Sequence, residues 1–113
     1  MDELTTSMIA KALDGLDMRY QFTAQNIANV NAPDYHPTHV TFEAALRAAS
    51  TEGPSAVAAV RPQIVSTDAA DGPVRLDLEL ASASQTAQRY RALLEILSQQ
   101  MALSRAAISS EGR

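Results

Sequence analysis

The sequence predicts an all-α fold of two long antiparallel terminal helices, a coiled-coil-like hairpin with a short irregular or weakly β middle segment. Near both ends of the chain, apolar residues recur at alternating steps of four and three, and neither of these segments contains proline. The middle of the chain is instead rich in proline and small residues. Steps of four and three keep one side of an α-helix facing a partner helix. The two terminal helices are therefore expected to pair.

The N-terminal segment, residues 1–31, is predicted to be one helix from about Asp2 to Val30. Acidic residues at positions 2 and 3 favour a helix start because they meet the positive end of the helix dipole. Pro33 disfavours helical backbone in the residue before it, so the helix is expected to end near Asn31. Gly15 costs about 1 kcal/mol relative to alanine and is expected to mark a close contact or a bend. The apolar stripe of this helix is Ile9, Leu13, Leu16, Tyr20, Thr23, Ile27 and Val30.

Residues 32–49 are predicted to form a proline-containing loop followed by a short amphipathic segment. Thr41 is the expected N-terminal cap of that segment, although position 44 lacks the acidic residue of a complete capping box. The residues that share one helical face are Phe42, Ala45, Leu46 and Ala49.

Residues 50–74 are interpreted as a flexible linker, either mobile or ordered by a partner. The composition changes here to Ser, Thr, Gly, Pro, Ala and Val, and two Gly-Pro pairs interrupt any regular element. One or two short strands are possible, but the segment is too weak to found a core. The residues that would form such strands are Val57, Val60, Ile64 and Val65.

The C-terminal segment, residues 75–113, is predicted to be the second long helix, from about Leu76 to Ser110. Its main stripe is Leu76, Leu80, Ala83, Ala87, Tyr90, Leu94, Leu97, Met101, Ser104 and Ile108. A second stripe lies beside it and consists of Leu93, Ile96 and Leu103. A hairpin of two helices covers only one face, so the surplus apolar surface predicts further helical neighbours.

The heptad spacing also predicts which side chains meet inside the hairpin. From the N-terminal helix these are Ile9, Leu13, Leu16, Tyr20 and Ile27. Their expected partners on the C-terminal helix are Leu80, Ala87, Tyr90, Leu94, Leu97 and Met101.

Composition excludes several functional classes. The formal net charge is −4 and no basic patch exists, so nucleic acid is not an expected partner. No apolar run approaches the roughly 20 residues that a membrane span requires. The chain contains no cysteine, and its acidic start lacks the features of a cleavable signal peptide. By these rules alone the protein is expected to be soluble and cytoplasmic.

The sequence offers little for catalysis or metal binding. Asp34, His36 and His39 are the one cluster that suggests a metal site, but Pro37 separates the histidines and no zinc-ligand pattern completes the set. No glycine-rich phosphate loop is present, and no serine has a neighbouring histidine. The expectation is a protein that is not an enzyme and that has no cofactor, no metal site and no catalytic residues.

The segment from Asn26 to Tyr35 carries a more specific signal. It reads Asn-Ile-Ala-Asn-Val-Asn-Ala-Pro-Asp-Tyr, with three asparagines within six residues. Asn29 and Asn31 can bond backbone groups that are freed where a helix ends, and Pro33 then fixes the direction of the exit. Such a density of asparagines before Pro-x-Tyr is unusual for an ordinary helix C-terminus.

This segment resembles the axial-protein family of the bacterial flagellum, whose N-terminal helix ends in Asn-Ile-Ala-Asn-x-x-Thr-Pro-Gly-Tyr. Ala32 replaces the threonine and Asp34 replaces the glycine, so the tight turn of the family is expected to be altered. The matching residues are Asn26, Ile27, Ala28, Asn29, Pro33 and Tyr35.

Two further segments are similar to the proximal-rod members of that family. Residues 40–46 resemble an Asp-Phe-Glu-x-x-Leu segment, and residues 90–97 resemble a Tyr-x-Ala-Leu helix. Residues 74–77 are a weaker copy of an acidic entry to that helix. The resemblance covers both ends of the chain and leaves residues 50–72 without a counterpart. This short middle differs from the large inserted β-domains of hook, filament and distal-rod proteins.

The resemblance implies a structural subunit that is exported unfolded, without a cleaved signal peptide, and polymerises in the periplasm as part of the basal-body rod. Its implied partners are copies of itself, other rod proteins, and membrane-ring and export-gate components at the rod base. The alternatives are a neighbouring proximal-rod component and a cytoplasmic coiled-coil adaptor or export chaperone.

The residues expected to make the assembly and packing contacts are Ile9, Leu13, Leu16, Tyr20, Asn26, Ile27, Ala28, Asn29, Pro33, Tyr35, Phe42, Leu80, Ala87, Tyr90, Leu93, Leu94, Leu97, Met101 and Ile108.

Overall fold

Two long helices set the architecture of the chain. A computed structural model describes residues 1–67 and 72–111. The elements are α1 (Glu3–Ala28), β1 (Thr38–Thr41), α2 (Glu43–Ser50), α3 (Pro54–Ala59), β2 (Gln63–Ser66) and α4 (Leu76–Glu111). Asn26 contacts the start of α4 while Met1 lies beside its end, so α1 and α4 pair antiparallel. The predicted fold class is confirmed.

The ends of α1 follow from its local sequence. The Asp2 side chain accepts a hydrogen bond from the Thr5 backbone N–H at 2.7 Å and caps the first turn. At the other end, the Asn29 side-chain amide donates to the Gln25 carbonyl at 2.8 Å. The regular helix ends at Ala28, and hydrogen-bonded turns continue through the next three residues.

The short amphipathic segment begins later than predicted. Thr41 is the last residue of β1, and Phe42 is the N-cap of α2 without any side-chain capping bond, so the prediction of a Thr41 cap is wrong. Residue 41 is held in the sheet opposite Gln63, which prevents it from capping a helix. On α2, Leu46 and Ala49 are buried and Ala45 is exposed.

Residues 54–66 are not an irregular linker. They form α3 and β2, and β2 pairs antiparallel with β1 from Thr38 opposite Ser66 to Thr41 opposite Gln63. Val57 is completely buried, so this segment, predicted to be too weak to found a core, contributes a residue to the core that α1 and α2 share with it. Ile64 and Val65 do lie in a strand, as predicted. The remaining part of the predicted linker at residues 68–71 lies outside the described residues.

The main apolar core lies between α1 and the segment that connects the long helices. The apolar stripes predict contacts between the two long helices, so the position of the main core differs from that prediction. Tyr90 and Leu93 of α4 are half-buried against it. The buried members are Leu16, Val40, Phe42, Leu46, Ala49 and Val57.

Gly15 marks a close contact, as predicted. A Cβ atom at this position would lie 2.6 Å from the Cε1 and Cγ atoms of the Phe42 ring, well inside contact distance. The absence of a side chain lets Phe42 pack directly on the α1 backbone. The helix therefore accepts a residue of poor helix propensity to admit an aromatic ring to the core.

Arg19 of α1 bonds to both β1 and α2. Its guanidinium donates to both carboxylate oxygens of Glu43 at 2.7 and 2.6 Å, and to the Val40 carbonyl at 3.2 and 2.8 Å. Its Cζ atom lies 4.9 Å from the centre of the Phe42 ring, a cation–π distance. The Arg19 guanidinium hydrogen bonds lower the pKa of Glu43 from 4.5 to about 2.

The molecule is elongated. Its Cα atoms extend over 65 × 27 × 13 Å, and the radius of gyration is 17.9 Å. A compact chain of this length would have a radius of gyration of about 13 Å. The long helices consequently expose much of their surface to solvent or to partners.

The contact between Gly15 and Phe42 can be tested with Gly15→Ala. Helix propensity alone would stabilise this variant by about 1 kcal/mol. Steric overlap with the ring should outweigh that gain and lower the free energy of unfolding by about 1–2 kcal/mol, measured by urea denaturation. In a Phe42→Leu background the same substitution should lower the free energy of unfolding by less, because the aromatic ring that it overlaps is absent. A Gly15→Ala variant more stable than the wild type would contradict the contact.

The Arg19–Glu43 pair predicts a pH dependence. Because the pKa of Glu43 falls from 4.5 to about 2 on folding, its contribution is present above pH 4.5 and is lost as pH falls towards 2. The carboxylate is half exposed, so the pair contributes at most about 1 kcal/mol. The difference in unfolding free energy between wild type and Glu43→Gln should shrink over this range. A difference independent of pH would show that the pair does not stabilise the fold.

Candidate assembly surface

Asn26 is fully buried, and all four of its side-chain hydrogen-bonding positions are used. The amide nitrogen donates to the Thr38 carbonyl at 2.9 Å and to Glu79 Oε2 at 3.1 Å. The amide oxygen accepts from the Tyr35 hydroxyl at 2.9 Å and from the Thr38 N–H at 3.0 Å. A planar amide with two donors and two acceptor lone pairs satisfies every one of these bonds.

Four parts of the chain meet at Asn26. We call the group of Asn26, Tyr35, Thr38 and Glu79 the Asn26 cluster. Asn26 belongs to α1, Tyr35 to the following loop, Thr38 to β1 and Glu79 to the first turn of α4. Glu79 is itself buried, and its Oε1 atom lies 3.1 Å from His39 Nε2. The cluster therefore fixes the closed end of the hairpin and sets the register of β1 on α1.

The structure brings together part of the predicted asparagine motif. Asn26 in the last turn of α1 is bonded to Tyr35 in the following loop, and Asn29 caps the C-terminus of α1. Ile27 is half-buried, whereas Ala28 and Pro33 are exposed. No non-glycine residue among residues 1–67 and 72–111 has a positive φ, so the chain passes Asp34 without the backbone conformation that favours glycine.

The side of α4 that faces α1 differs from the predicted stripe at alternate positions. Glu79 and Thr86 are buried, while Leu80 and Leu94 remain about half exposed. The assignment of Leu80, Leu94 and Met101 to the interior of the hairpin therefore needs correction. With Glu79 bonded to Asn26, α4 is rotated so that alternate inward positions fall one residue earlier, whereas Ala83, Tyr90 and Leu97 keep their predicted places. The inward positions are Glu79, Ala83, Thr86, Tyr90, Leu93, Leu97 and Gln100.

This rotation leaves a stripe of apolar residues on the outside of α4, which we call the outer stripe. Its members are seven residues apart, namely Leu80, Ala87, Leu94, Met101 and Ile108. All except Ala87 are 44–69% exposed. A spacing of seven residues places them along one side of the helix. A second helix, parallel or antiparallel, can cover such a stripe.

The predicted contact residues of α1 divide between interior and surface. Ile9 and Leu16 are buried, Leu13 and Ile27 are half-buried, and Tyr20 is 47% exposed. Tyr20 lies across a shallow groove from the outer stripe. The groove is lined by Leu16, Asp17, Tyr20, Thr86, Ala87, Tyr90 and Arg91.

A second, wider groove lies between α1, α2 and α4, and we call it the three-helix groove. Its volume is about 480 Å³. The apolar lining is Met8, Ala12, Leu16, Phe42, Leu46, Ala92 and Leu93, and the polar rim is Glu43, Arg47, Ser50 and Arg89. Both grooves run beside α4, so the helix presents apolar surface on two sides.

The suggested metal cluster is not assembled. Within the described ranges, no group of three or more His, Cys, Asp or Glu side chains is arranged to hold a metal ion. His39 lies against Glu79, while Asp34 and His36 are exposed. Over the same part of the chain, no helix has the length and hydropathy needed to cross a membrane.

Sequence reasoning missed Glu79, His39 and Arg19 as residues that hold the fold together. A signal for Glu79 does exist, since it shares a heptad face with Tyr90 and Leu97 and is the one acidic residue on that face between positions 76 and 100. An acidic residue at an inward position requires a buried partner. Nothing in the sequence identifies that partner as Asn26, because the two residues are 53 positions apart.

No model of a known protein family matches the chain, and no curated protein sequence matches it.

The Asn26 cluster can be tested with Asn26→Asp. This change removes both amide donors and places a carboxylate beside that of Glu79. We expect the free energy of unfolding at pH 7 to fall by about 2–4 kcal/mol, as measured by chemical denaturation. Adding Glu79→Gln should recover part of the loss, because the new amide can donate to the carboxylate at position 26. Equal stability of N26D with and without E79Q would contradict the assigned bond.

Proposed function

We propose that this chain is a structural subunit of the bacterial flagellar basal-body rod, in its proximal part, on the basis of its resemblance to the rod protein FlgB. It polymerises through its terminal helices into the axial tube that transmits torque. The outer stripe of α4 is the observation that carries the proposal, together with the asparagine motif and the two rod-like segments. A role of this kind needs no cofactor.

The outer stripe has the length of an assembly seam. Leu80 and Ile108 are separated by 28 residues, which corresponds to about 42 Å of helix. Apolar side chains exposed over that length are typical of a surface that a partner covers. A neighbouring helix lying along the stripe would bury it as one core position of each heptad is buried in a coiled coil.

The exposed area supports more than one neighbour. The accessible surface is 7550 Å², whereas a compact monomer of 12.1 kDa would expose about 6,000 Å². A standard interface buries about 800 Å² on each partner. The elongated shape accounts for this excess and leaves room for more than one such surface on each chain.

The proposed mechanism is mechanical. A rod subunit under torque must keep its two long helices from sliding or splaying. The Asn26 cluster resists this at the closed end, and the bidentate Arg19–Glu43 pair together with the Phe42 contact fixes the middle of α1. Directional bonds to buried or half-buried groups give the hairpin a single defined geometry. Packing across subunits then turns a slender monomer into a stiff tube.

The proposal includes a location and a set of partners. The chain would leave the cytoplasm through the flagellar export apparatus without a cleaved signal and assemble in the periplasm. Its partners would be copies of itself, other rod proteins, and ring and export-gate components at the rod base. A cytoplasmic chaperone would instead be a stable oligomer at low concentration, where a rod subunit should scatter light as a monomer.

Leu94→Asp tests the role of the outer stripe. Position 94 is exposed in the single chain, so the fold should persist, as measured by circular dichroism. A charge in the seam should block rod assembly and abolish swimming of a bacterium that depends on this gene, while the chain is still exported.

Gln88→Asp is the matched control, since it adds the same charge at an exposed position of α4 outside the outer stripe. This variant should swim normally. Normal swimming with Leu94→Asp would exclude the stripe from assembly.

A further inference from the structure

The backbone groups of β2 point alternately towards β1 and away from it. β1 and β2 pair antiparallel, and in the same register the Thr67 N–H donates to the Pro37 carbonyl at 3.0 Å. Hydrogen-bonded and non-hydrogen-bonded positions alternate along an antiparallel strand. Val65 therefore directs its N–H and C=O groups towards β1. Ile64 and Ser66 direct theirs to the opposite side, which we call the outer edge of β2.

The outer edge of β1 is closed by side chains of α1. By the same alternation, the backbone groups of Thr38 and Val40 point away from β2. Asn26 bonds both the N–H and the C=O of Thr38, and the Arg19 guanidinium donates to the Val40 carbonyl. Side chains of α1 therefore take the place of a third strand on this edge, and no strand can add there without displacing them.

The outer edge of β2 is open. Within residues 1–67 and 72–111, no hydrogen bond uses the outward backbone groups of Ile64 or Ser66. All four residues of β2 are exposed, and Ile64 and Val65 are 55% and 48% exposed. Successive side chains of a strand lie on opposite faces of the sheet. The edge therefore combines unbonded N–H and C=O groups with one exposed apolar side chain on each face.

These groups match an extended polypeptide segment. A strand presents an N–H and a C=O at every second residue, which is the spacing of Ile64 and Ser66. A helix cannot match the edge, because its backbone groups are bonded internally. β2 contains no charged residue, so a charge on the facing segment would find no counter-charge in this strand. The expected occupant is an uncharged segment with apolar side chains beside Ile64 and Val65.

A second copy of this chain is not the source of that segment. β2 of one copy cannot add to β1 of another, because Asn26 and Arg19 occupy that edge. Antiparallel pairing of β2 with β2 has a two-fold axis, so it closes after two chains. Neighbours in the proposed axial tube follow one another in a single direction, which excludes a two-fold contact between them. The segment must therefore belong to a different protein.

We propose that the outer edge of β2 is a strand-addition site for an extended, uncharged segment of a different protein that neighbours this chain in the rod. This inference rests on the proposed function, which supplies neighbours of different sequence. The added segment turns the two-stranded sheet into a three-stranded one and bonds the outward groups of Ile64 and Ser66. The short edge supplies one part of a larger interface, and the direction of its backbone bonds fixes how the neighbour is oriented.

Amide hydrogen exchange of the free full-length chain, measured by NMR, tests whether the edge is open. The amides of Ile64 and Ser66 should exchange about 10-fold faster than that of Val65, which is bonded to β1. Equal protection of the three amides would show that the edge is already covered and would overturn the proposal. Protection of Ile64 and Ser66 that grows with protein concentration would identify a second copy as the occupant and would also overturn it.

A synthetic peptide tests strand addition itself. The probe is acetyl-Lys-Thr-Val-Thr-Val-Thr-Lys-amide, whose central residues favour extended backbone and carry no charge. At millimolar concentration it should slow exchange of the Ile64 and Ser66 amides about 3- to 10-fold and leave that of Leu94 unchanged. No slowing at the highest soluble peptide concentration would refute the site.

Proline variants separate backbone pairing from apolar contact. Ile64→Pro removes one outward N–H and leaves the bonds to β1 in place, and proline is tolerated at such edge positions. It should abolish the slowing at Ser66, whereas the matched control Ile64→Val should retain it. Ser66→Pro removes the other outward N–H and should likewise abolish the slowing at Ile64. Retained slowing in both proline variants would contradict strand addition.

Swimming assays distinguish this proposal from the rod function. In a bacterium that depends on this gene, Ile64→Pro should reduce swimming and Ile64→Val should not. Normal swimming with Ile64→Pro, together with a Leu94→Asp strain that cannot swim, would refute strand addition and leave the rod function standing. Slowing of exchange by the peptide, together with normal swimming of the Leu94→Asp strain, would refute the rod function and leave the strand-addition site standing.

Discussion

The buried amide of Asn26 is the interaction on which the rest of the structure depends. It satisfies the backbone of Thr38, the hydroxyl of Tyr35 and the carboxylate of Glu79 at once. A carboxylate at a position that faces another helix would be strongly unfavourable without such a donor. Once Glu79 is held there, the rotation of α4 is fixed. The loop, the sheet and both long helices then have only one mutual arrangement.

The fixed rotation of α4 has a direct consequence for assembly. It turns Leu93 inward beside Tyr90 and Leu97, and it leaves the outer stripe uncovered. The hairpin thus combines a rigid polar base with long apolar surfaces that point away from its own core. A polymer subunit requires this division, because the contacts that define its shape must not be the contacts that join it to neighbours. In the proposed rod, the inward side of α4 therefore defines the shape of the subunit, and its outer stripe joins the subunit to its neighbours.

The sequence predicts the two long helices, their antiparallel pairing and the special position of Gly15, because apolar periodicity and helix breakers are local signals. It predicts a strand at Ile64 and Val65 but not the packing of the middle segment on α1, since no local pattern encodes the contacts between α1 and α3 that accompany the burial of Val57. It also misplaces alternate members of the inward face of α4. Leu80 and Leu94 are more apolar than Glu79 and Thr86, so the sequence pattern places the leucines on the inward face. The bond between Glu79 and the distant Asn26 holds Glu79 inward instead.

Electron cryo-microscopy of flagellar basal bodies purified from the organism that encodes this chain tests the central claim most directly. The account predicts that the proximal rod contains this hairpin, with Leu94 and Met101 of each subunit buried against a neighbouring helix. It also predicts that the Asn26–Glu79 bond is unchanged in the assembled subunit. A proximal rod that lacks this chain, or one in which the outer stripe faces solvent, would contradict the account.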